Sequence, residues 1–327
     1  MQSPLISVIM SVYKEPDTWL HQSVDSILKQ SFTNFEFIII VDNPDNVNCI
    51  RLLNEYASND SRIRLLLNEN NIGLTKSLNK GLREARGEYI ARMDADDISE
   101  KDRFTKQVEY LRNNPKVDLC STAFSLINEN GVVIKKNANG RFNDISYLFR
   151  QNPIGHSTVM FKTSLLKMRN PLYNELFRCE QDYELWTYLL KSGVEMEILP
   201  DVLVKYRISR QQISNNKQVD GEYSKKTVRR NFINDYLIKN HIINSSCIGD
   251  PIKILNAIES TRCDTSLNSS FIYNILFVMY YTIINAQRYY FFKYIRSPHL
   301  LVFKFPWQDT FHLLMCSLGK GKSSLLY

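Results

Sequence analysis

Short apolar runs alternate with amphipathic stretches through the first hundred residues of the chain. Four apolar, β-branched runs predict strands, at residues 5–12, 35–41, 63–67 and 88–93. Three stretches between them carry apolar residues at helical spacing and predict helices, at residues 16–30, 49–59 and 75–86. Strands that alternate with helices over short connections indicate an α/β fold with helices on both faces of the sheet.

The pattern is less regular in the rest of the chain. Helices are predicted at residues 99–113 and 181–191, and β-rich segments at residues 117–124, 156–161, 195–198 and 202–207. Asn130-Gly131 has the composition of a hairpin turn. A polar stretch at residues 215–220 then marks a boundary, so we expect a first domain at 1–217 and a helical region at 218–327.

Residues 271–286 form the most apolar segment of the chain. A bilayer span needs about 20 apolar residues. This segment is shorter and contains Asn274, Thr282 and Asn285, so it predicts a buried or interfacial helix and not a membrane span.

The composition indicates a globular protein of the cytoplasm. The chain has 327 residues, 44% of them hydrophobic, and its six cysteines form no Cys-x-x-Cys pair. We therefore expect reduced thiols and neither a disulfide framework nor a zinc site. The first strand follows residues 1–4 directly, which predicts the absence of a signal peptide.

The net charge of +7 is concentrated near the end of the chain. Residues 287–327 contain six Lys or Arg against Asp309 alone, and they are rich in aromatic residues. This composition favours contact with an anionic membrane surface. Binding to nucleic acid is not expected, since no nucleic-acid motif accompanies the charge. The alternative is a packed helical region with a basic outer face.

The acid cluster Asp94, Asp96 and Asp97 follows the fourth predicted strand. Carboxylates this close repel one another unless a cation lies among them. Oxygen ligands suit Mg²⁺ or Mn²⁺, so the cluster is a candidate site for a metal that carries a diphosphate. The alternative is a solvated acidic turn in which Asp97 caps the next helix.

Other polar residues follow the predicted strands at the same edge of the sheet. Ser11, Val12 and Tyr13 end the first strand and Asp42 ends the second, where ligands of open α/β sheets bind. Asp42 is a candidate to accept a hydrogen bond from a nucleobase, or else begins the turn at Asn43-Pro44. Neither a Gly-x-Gly-x-x-Gly nor a P-loop motif is present, which disfavours dinucleotide oxidoreductases and P-loop phosphotransferases.

A second acidic group, residues 179–186, contains Asp182 at the start of a predicted helix. A carboxylate there can deprotonate a sugar hydroxyl. A first-turn acid held by the helix dipole is the alternative.

Four segments in this order resemble family 2 glycosyltransferases: residues 7–15 (SVIMSVYKE), 35–42 (FEFIIIVD), 70–74 (NNIGL) and 85–97 (ARGEYIARMDADD). The resemblance covers residues 5 to about 210. It implies a GT-A fold, a Rossmann-like mixed sheet flanked by helices, here with a helical C-terminal extension. It also implies an inverting, metal-dependent enzyme that uses a nucleotide sugar and Mn²⁺ or Mg²⁺.

The resemblance also implies roles for single residues. Asp182 is the catalytic base and Asp96 the metal ligand. The nucleotide site comprises Ser11, Val12, Tyr13, Glu15, Asp42, Lys76, Asp94 and Ala95. Candidates for contact with the acceptor or the diphosphate are His156, Glu180 and Arg207. His156 has the alternative of a hydrogen-bonded structural histidine.

Two departures from the family pattern concern the donor site. The loop after Asp42 reads Asn43-Pro44-Asp45 where relatives carry a second Asp and Gly-Ser. Ser209 stands where the family often has a His that ligates metal or diphosphate, so Arg207 or Arg210 is expected to neutralise the diphosphate instead.

The resulting hypothesis is a bacterial enzyme of O-antigen, capsule or exopolysaccharide synthesis. The donor is expected to be a UDP-hexose or UDP-HexNAc, and the acceptor a lipid-diphosphate-linked sugar or an oligosaccharide. The enzyme would act as a peripheral protein at the inner face of the cytoplasmic membrane. The alternatives are a nucleotidyltransferase, although residues 12–15 lack its Gly-rich basic loop, and a non-catalytic nucleotide-sugar-binding module.

Overall fold

The computed structural model describes residues 3–137, 144–209, 218–260 and 269–286, with Asp309, Thr310 and Leu313. Its contacts divide the chain into two compact units. The first comprises residues 1–145 and 153–217, and the second comprises residues 146–152 and 218–327. The sequence analysis had assigned residues 146–152 to the first domain, whereas their contacts group them with the second unit.

The first unit is built around one nine-stranded sheet. Its strands are β1 (Ile6–Val12), β2 (Phe35–Val41), β3 (Ile63–Leu67), β4 (Tyr89–Arg92), β5 (Ile98–Ser99), β6 (Leu119–Ile127), β7 (Val133–Lys135), β8 (Met160–Lys162) and β9 (Met196–Arg207). The α-helices described in this unit are α1 (Asp17–Leu28), α2 (Val47–Asn59), α3 (Leu74–Glu84), α4 (Arg103–Asn113) and α5 (Gln181–Lys191).

The sheet is mixed, with the strand order β3-β2-β1-β4-β8-β6-β9-β5 and with β7 paired to β6. Strands β1 to β4 are parallel, and β8 lies antiparallel between β4 and β6. Strand β6 therefore runs in the same direction as β4, and β9 runs parallel to β6. The carboxyl ends of β1, β2, β4, β6 and β9 consequently share one edge, the carboxyl rim.

The sequence predicted most of these elements. Strands β2 and β3 and helix α5 have the predicted bounds. Residues 156–161 are not one strand, because a 3₁₀ turn (His156–Thr158) precedes β8. The two predicted closing strands form the single strand β9, whose pairing with β6 shifts register around Ala123.

The predicted turn at Asn130-Gly131 is confirmed and joins β6 to β7. The two strands pair antiparallel, and Gly131 has φ 79°, a conformation that favours glycine. The Asn128 side chain accepts hydrogen bonds from the backbone N–H groups of Asn130 and Val132, both at 3.0 Å. These bonds fix the hairpin at the carboxyl rim.

The core of the first unit lies along the sheet. All seven residues of β1 and all seven of β2 are buried, as expected for strands covered on both faces. Helix α1 packs Leu20, Val24 and Ile27 into this core. The apolar stripe that predicted the helix is thus the face that it buries.

The second unit is helical in its described part. Its helices are α6 (Gln218–Lys239), α7 (Pro251–Ser260) and α8 (Ser269–Ala286). The Phe149 ring stacks on Phe232 at 4.3 Å, and the Arg150 guanidinium pairs with Asp309 at 3.0 Å. The Arg150 guanidinium also lies 3.8 Å from the ring centroid of Phe277 in α8. Residues 146–152 are therefore part of this unit's core.

Helix α8 contains the most apolar segment of the sequence. Most of its described side chains are buried, as predicted. None of the helices in the described ranges is long and apolar enough to cross a membrane. The basic, aromatic residues 287–327 lie outside the described part, apart from Asp309, Thr310 and Leu313.

A glycine is needed at position 87 because the backbone of β1 packs closely against it. Helix α3 ends at Glu84, before the predicted bound. A Cβ at Gly87 would lie 2.6 Å from the Ser7 nitrogen and 2.7 Å from the Ile6 carbonyl carbon, both backbone atoms of β1.

We expect Gly87→Ala to lower the free energy of unfolding by about 1–3 kcal/mol, because β1 has no room to move. Thermal or urea unfolding measures this change. Gly221→Ala is the matched control. Gly221 lies in α6, where no described atom approaches an added Cβ within 4 Å, so the same substitution should stabilise by about 0.5–1 kcal/mol. Equal effects of both substitutions would contradict the packing argument.

Candidate functional site

The acid cluster lies at the carboxyl end of β4, between strands β1 and β8. The Arg92 side chain is buried and its Nη2 donates to Asp94 Oδ1. Ser157, from the turn before β8, contacts the other oxygen, Asp94 Oδ2, at 2.8 Å. Burial acts to raise the pKa of Asp94, but the Arg92 charge and the hydrogen bonds from Ser157 and Arg92 together lower the pKa below its usual value. Asp94 is therefore ionised and fixed in one orientation.

Ser157 connects two carboxylates of the cluster. Its Oγ lies 2.8 Å from Asp94 Oδ2 and 2.5 Å from Asp97 Oδ2, and it accepts a hydrogen bond from the Asp94 N–H at 3.0 Å. A hydroxyl group has one proton to donate. Ser157 can therefore donate to only one of the two carboxylates. When it donates to Asp94, the contact with Asp97 is a hydrogen bond if the Asp97 carboxyl is protonated and donates to Ser157 Oγ.

Asp97 is fully buried beneath the other two acids. Its Oδ1 accepts a hydrogen bond from the Arg207 backbone N–H in β9 at 2.8 Å. Burial and the neighbouring Asp96 and Asp94 carboxylates raise the pKa of Asp97 well above its usual range. Asp97 thus joins β9 to the end of β4, a role different from the helix cap that the sequence offered as an alternative.

Four acids from the two acidic groups lie near one tyrosine. Burial raises the pKa of the Tyr206 hydroxyl, and nearby carboxylates raise it further, those of Asp97, Asp94, Asp96 and Asp182. The structure therefore brings together the cluster after β4 and the carboxylate of α5, although the two are far apart in the sequence.

Asp182 lies in the first turn of α5 and is partly exposed. Glu180, just before the helix, has φ 59°, a left-handed conformation that costs a non-glycine residue on the order of 1 kcal/mol. Arg169 holds the same turn through a bidentate ion pair with Glu184, at 2.7 and 2.8 Å. The start of α5 is therefore fixed from outside the helix.

His156 is a buried, hydrogen-bonded histidine. Its Nε2 lies 2.8 Å from the Tyr173 hydroxyl, and its ring packs against Trp186 at 6.2 Å between centroids. Burial and the nearby Arg92 charge lower the pKa of His156 to about 3, so the ring is neutral at physiological pH. This geometry favours the structural alternative over direct contact with the acceptor.

Asp42 is 2% exposed, and its carboxylate already has three hydrogen-bond donors. Oδ1 accepts from Asn68 Nδ2 at 2.7 Å and from the Ile72 N–H at 2.9 Å, and Oδ2 accepts from the Gly73 N–H at 2.8 Å. The side chain thus shapes the loop before α3. Contact of Asp42 with a nucleobase remains a prediction. The three bonds join Asp42 to residues 68–73 and therefore differ from both roles that the sequence indicated, the nucleobase contact and the turn at Asn43-Pro44.

The remaining predicted donor residues lie along the carboxyl rim. Ser11 and Val12 are buried at the end of β1, whereas Tyr13 is 39% exposed. Glu15 accepts a hydrogen bond from the Tyr13 N–H at 2.7 Å. Burial, together with the Asp94 charge, raises the pKa of Glu15 despite its backbone hydrogen bonds, which places its carboxylate near the acid cluster.

Lys76 and Ala95 differ in exposure. Lys76 is exposed on α3, and the structure shows no contact between it and the acid cluster in the described residues. Ala95 is 2% exposed and packs into the core between Asp94 and Asp96. Its side chain therefore belongs to the scaffold, and only its backbone is available to a ligand.

The Arg207 guanidinium is bonded to neighbouring loops of the protein. The residue is fully buried, and its guanidinium donates to the carbonyls of Asp96 at 2.7 Å, Asn128 at 3.1 Å and Glu129 at 3.0 Å, and to Gln22 Oε1 at 2.6 Å. These bonds show that the guanidinium holds the surrounding loops, and its contact with a diphosphate stays a prediction. Its proposed substitute Arg210 lies outside the described residues.

Comparison with known proteins decides the family. The model of "Glycosyl transferase family 2" matches residues 7–177. The chain belongs to this family. Among its relatives is the O-antigen biosynthesis glycosyltransferase WbnJ of Escherichia coli, which is 36% identical over 209 residues, 62% of this chain and 80% of WbnJ. The family match removes the nucleotidyltransferase alternative.

One further relative and one solved structure are also similar to this chain. WfgD of Escherichia coli, named as a UDP-Glc:alpha-D-GlcNAc-diphosphoundecaprenol beta-1,3-glucosyltransferase, is 32% identical over 220 residues, 66% of this chain and 82% of WfgD. The crystal structure of S. aureus TarS 1-349 in complex with UDP-GlcNAc has a TM-score of 0.58 and 16% identity. It covers 97% of this chain and 93% of the crystallised one. The predicted GT-A fold of this glycosyltransferase is confirmed.

The acid cluster of the glycosyltransferase fits a metal only if the donor completes the site. In the described ranges, no group of three or more His, Cys, Asp or Glu side chains is arranged to hold an ion. Asp94 and Asp96 are both partly exposed, whereas Asp97 is buried, so the first two carboxylates are the ones that an ion can reach. Mg²⁺ is often held by one or two carboxylates together with substrate phosphates, so this donor set is compatible with it.

Sequence reasoning missed three residues that organise the glycosyltransferase site. Arg92 and Ser157 orient Asp94, and Tyr173 holds His156. The one sequence signal for Ser157 is its position directly after the candidate His156. Its contact with Asp94 spans 63 residues of sequence and depends on the insertion of β8 beside β4.

Proposed function

We propose that this glycosyltransferase transfers a sugar from a nucleoside-diphosphate donor to a carbohydrate acceptor with inversion at the anomeric carbon. One observation carries the proposal. Asp182, in the first turn of α5, lies close enough to Tyr206 for its charge to raise the pKa of the tyrosine hydroxyl, as the charges of Asp94 and Asp96 do. A carboxylate for the acceptor and two carboxylates for the metal and the diphosphate therefore lie near one residue, Tyr206, at the carboxyl rim.

The reaction would be a single displacement with Asp182 as the general base. The acceptor hydroxyl gives its proton to the Asp182 carboxylate while its oxygen bonds to the anomeric carbon. The bond from that carbon to the diphosphate oxygen breaks, and the nucleoside diphosphate leaves. An α-linked donor thus yields a β-linked product. The fixed start of α5 keeps the base in place, which such a displacement requires.

Asp96 is the residue that we propose to hold Mn²⁺ or Mg²⁺, with Asp94 oriented beside it. When bound, the ion would neutralise charge on the departing diphosphate. Among the remaining residues, Arg92 and Ser157 keep Asp94 from turning away. Asp97 and Arg207 keep the backbone of the cluster joined to β9.

The names of two relatives support the proposed substrate class. WbnJ is named for O-antigen biosynthesis, and WfgD for a UDP-glucose donor and a diphosphoundecaprenol-linked acceptor. We therefore propose a UDP-hexose or UDP-HexNAc donor and a lipid-diphosphate-linked or oligosaccharide acceptor in the synthesis of a surface polysaccharide.

A nucleoside-diphosphate release assay tests the proposal. The full chain is incubated with a panel of UDP- and other nucleotide sugars, in Mn²⁺ and in EDTA. We expect slow hydrolysis of one donor that EDTA abolishes. Calorimetric titration with UDP accompanies the assay. Absence of both release and UDP binding across the panel would overturn the proposal in favour of a protein that does not use nucleotide sugars. Binding without release, also after addition of lipid-linked acceptors, would indicate the non-catalytic module.

A further inference from the structure

The hairpin between β6 and β7 carries an exposed apolar tip beside the acid cluster. Residues 132–137 are all exposed. Among them, Val132, Val133 and Ile134 are 58, 41 and 56% exposed. Successive side chains of a strand point to opposite faces. Since Val133 and Ile134 are both exposed, β7 has no covered face and projects from the sheet.

Two residues of the first unit, Arg207 and Trp19, hold the base of this tip. Arg207 donates to the carbonyls of Asn128 and Glu129, and Trp19 Nε1 donates to the Glu129 carbonyl at 2.9 Å. The same Arg207 guanidinium bonds the Asp96 carbonyl at 2.7 Å. The hairpin and the acid cluster thus share one buried cation, so the position of the tip is fixed relative to the site.

The charge pattern of the tip identifies the partner. Lys135 and Lys136 follow the three aliphatic residues directly and are exposed, with Glu129 as the acid of the turn. Aliphatic side chains insert below the headgroups of a bilayer, and neighbouring lysines reach the lipid phosphates. Lysines on an edge strand also disfavour pairing with the edge of another chain. A second copy of the protein is therefore a poorer occupant than a membrane.

We propose that residues 132–136 dock the enzyme on an anionic lipid surface, with the carboxyl rim beside the bilayer. Docking would let a lipid-linked acceptor reach the acid cluster from the membrane, and this consequence alone rests on the proposed function. The surface itself stands on the exposure and charge of the hairpin. It lies in the first unit, apart from the basic C-terminal residues that the sequence analysis connected with membranes.

Vesicle co-sedimentation of the full chain tests the proposal. Vesicles of phosphatidylcholine alone are compared with vesicles that contain phosphatidylglycerol. We expect binding to the anionic vesicles only. The double variant Val133→Ser/Ile134→Ser should weaken that binding roughly tenfold. Lys135→Gln/Lys136→Gln should weaken it by a similar factor and remove most of its dependence on salt.

The matched control is Val47→Ser/Leu67→Ser. These side chains are 70 and 51% exposed, and β3 is an edge strand that lies five strand spacings, or about 24 Å, from β6. The control should bind vesicles like the unaltered chain, and the melting temperatures of all variants should agree. Equal binding by the hairpin variant and the unaltered chain would overturn the proposal. The proposal would also be overturned if sedimentation velocity showed that the unaltered chain is a dimer and the hairpin variant a monomer, with vesicle binding the same in both.

Donor hydrolysis without vesicles separates this proposal from the proposed function. The hairpin variants should hydrolyse the donor at the unaltered rate, because the tip does not touch the acids. Loss of vesicle binding with normal hydrolysis supports membrane docking. Vesicle binding that depends on the hairpin in a protein inactive toward every donor would leave the docking surface intact and reject the enzyme assignment.

Discussion

Asp182→Asn is expected to lower turnover by roughly 10²–10⁴-fold while donor binding is retained. The amide keeps the size of the side chain but cannot accept the proton of the acceptor hydroxyl. Steady-state kinetics with the preferred donor and acceptor measures the rate, and calorimetric titration with UDP measures binding. The change should appear in kcat far more than in the donor KM.

Asp17→Asn is the control for the alternative role of Asp182, in which its carboxylate only stabilises the start of its helix. Asp17 lies in the first turn of α1, as Asp182 does in α5, and both variants lose a helix-dipole interaction of about 0.3–1 kcal/mol. A purely structural Asp182 would therefore behave like Asp17, with a small fall in stability and near-normal turnover. That result would remove Asp182 as the base.

Asp96→Asn and Asp97→Asn are expected to differ strongly, although they make the same chemical change at adjacent positions. At Asp96 the amide should weaken metal and diphosphate binding and lower kcat/KM on the order of 10²–10³-fold. At Asp97 the amide can accept from the Arg207 N–H and donate to Ser157 Oγ, which leaves the Ser157 proton for Asp94. Asp97→Asn should therefore retain most of the activity.

Activity measured across a Mn²⁺ titration distinguishes the two variants. We expect Asp96→Asn to need a higher Mn²⁺ concentration for half-maximal activity and Asp97→Asn to follow the unaltered curve. Thermal unfolding shows whether each variant is folded. Inactivation by Asp97→Asn in a folded protein with an unshifted melting temperature would show that the third acid acts directly on the ligand and not through β9.

Local sequence patterns were sufficient for the elements that carry the site. The apolar runs of β1 to β3 and the stripe of α1 specify buried strands and a packed helix by themselves, because each pattern matches the period of its element. The positions of Asp94, Asp96 and Asp182 at element ends follow from the same patterns. The family motifs by themselves indicate the GT-A fold.

The roles of Asp42, His156 and Arg207 needed the tertiary structure. Each has a side chain whose hydrogen-bond partners come from distant segments, at separations of 31 residues for Asp42 and Gly73, 17 for His156 and Tyr173, and 111 for Arg207 and Asp96. Motif position indicates that such a residue lies at the site. It does not indicate whether the side chain faces a ligand or is already bonded.

The sequence alone thus determined the order of strands and helices, the family and the acids at the edge of the sheet. Only the tertiary structure decided which of these acids is buried and which stay partly exposed. The antiparallel insertion of β8 between β4 and β6 places Ser157 under Asp94 and Asp97, and β9 supplies the N–H group that Asp97 binds. The physical reason is that local periodicity specifies which face of an element is buried, whereas pairing between distant strands depends on how all the elements pack together.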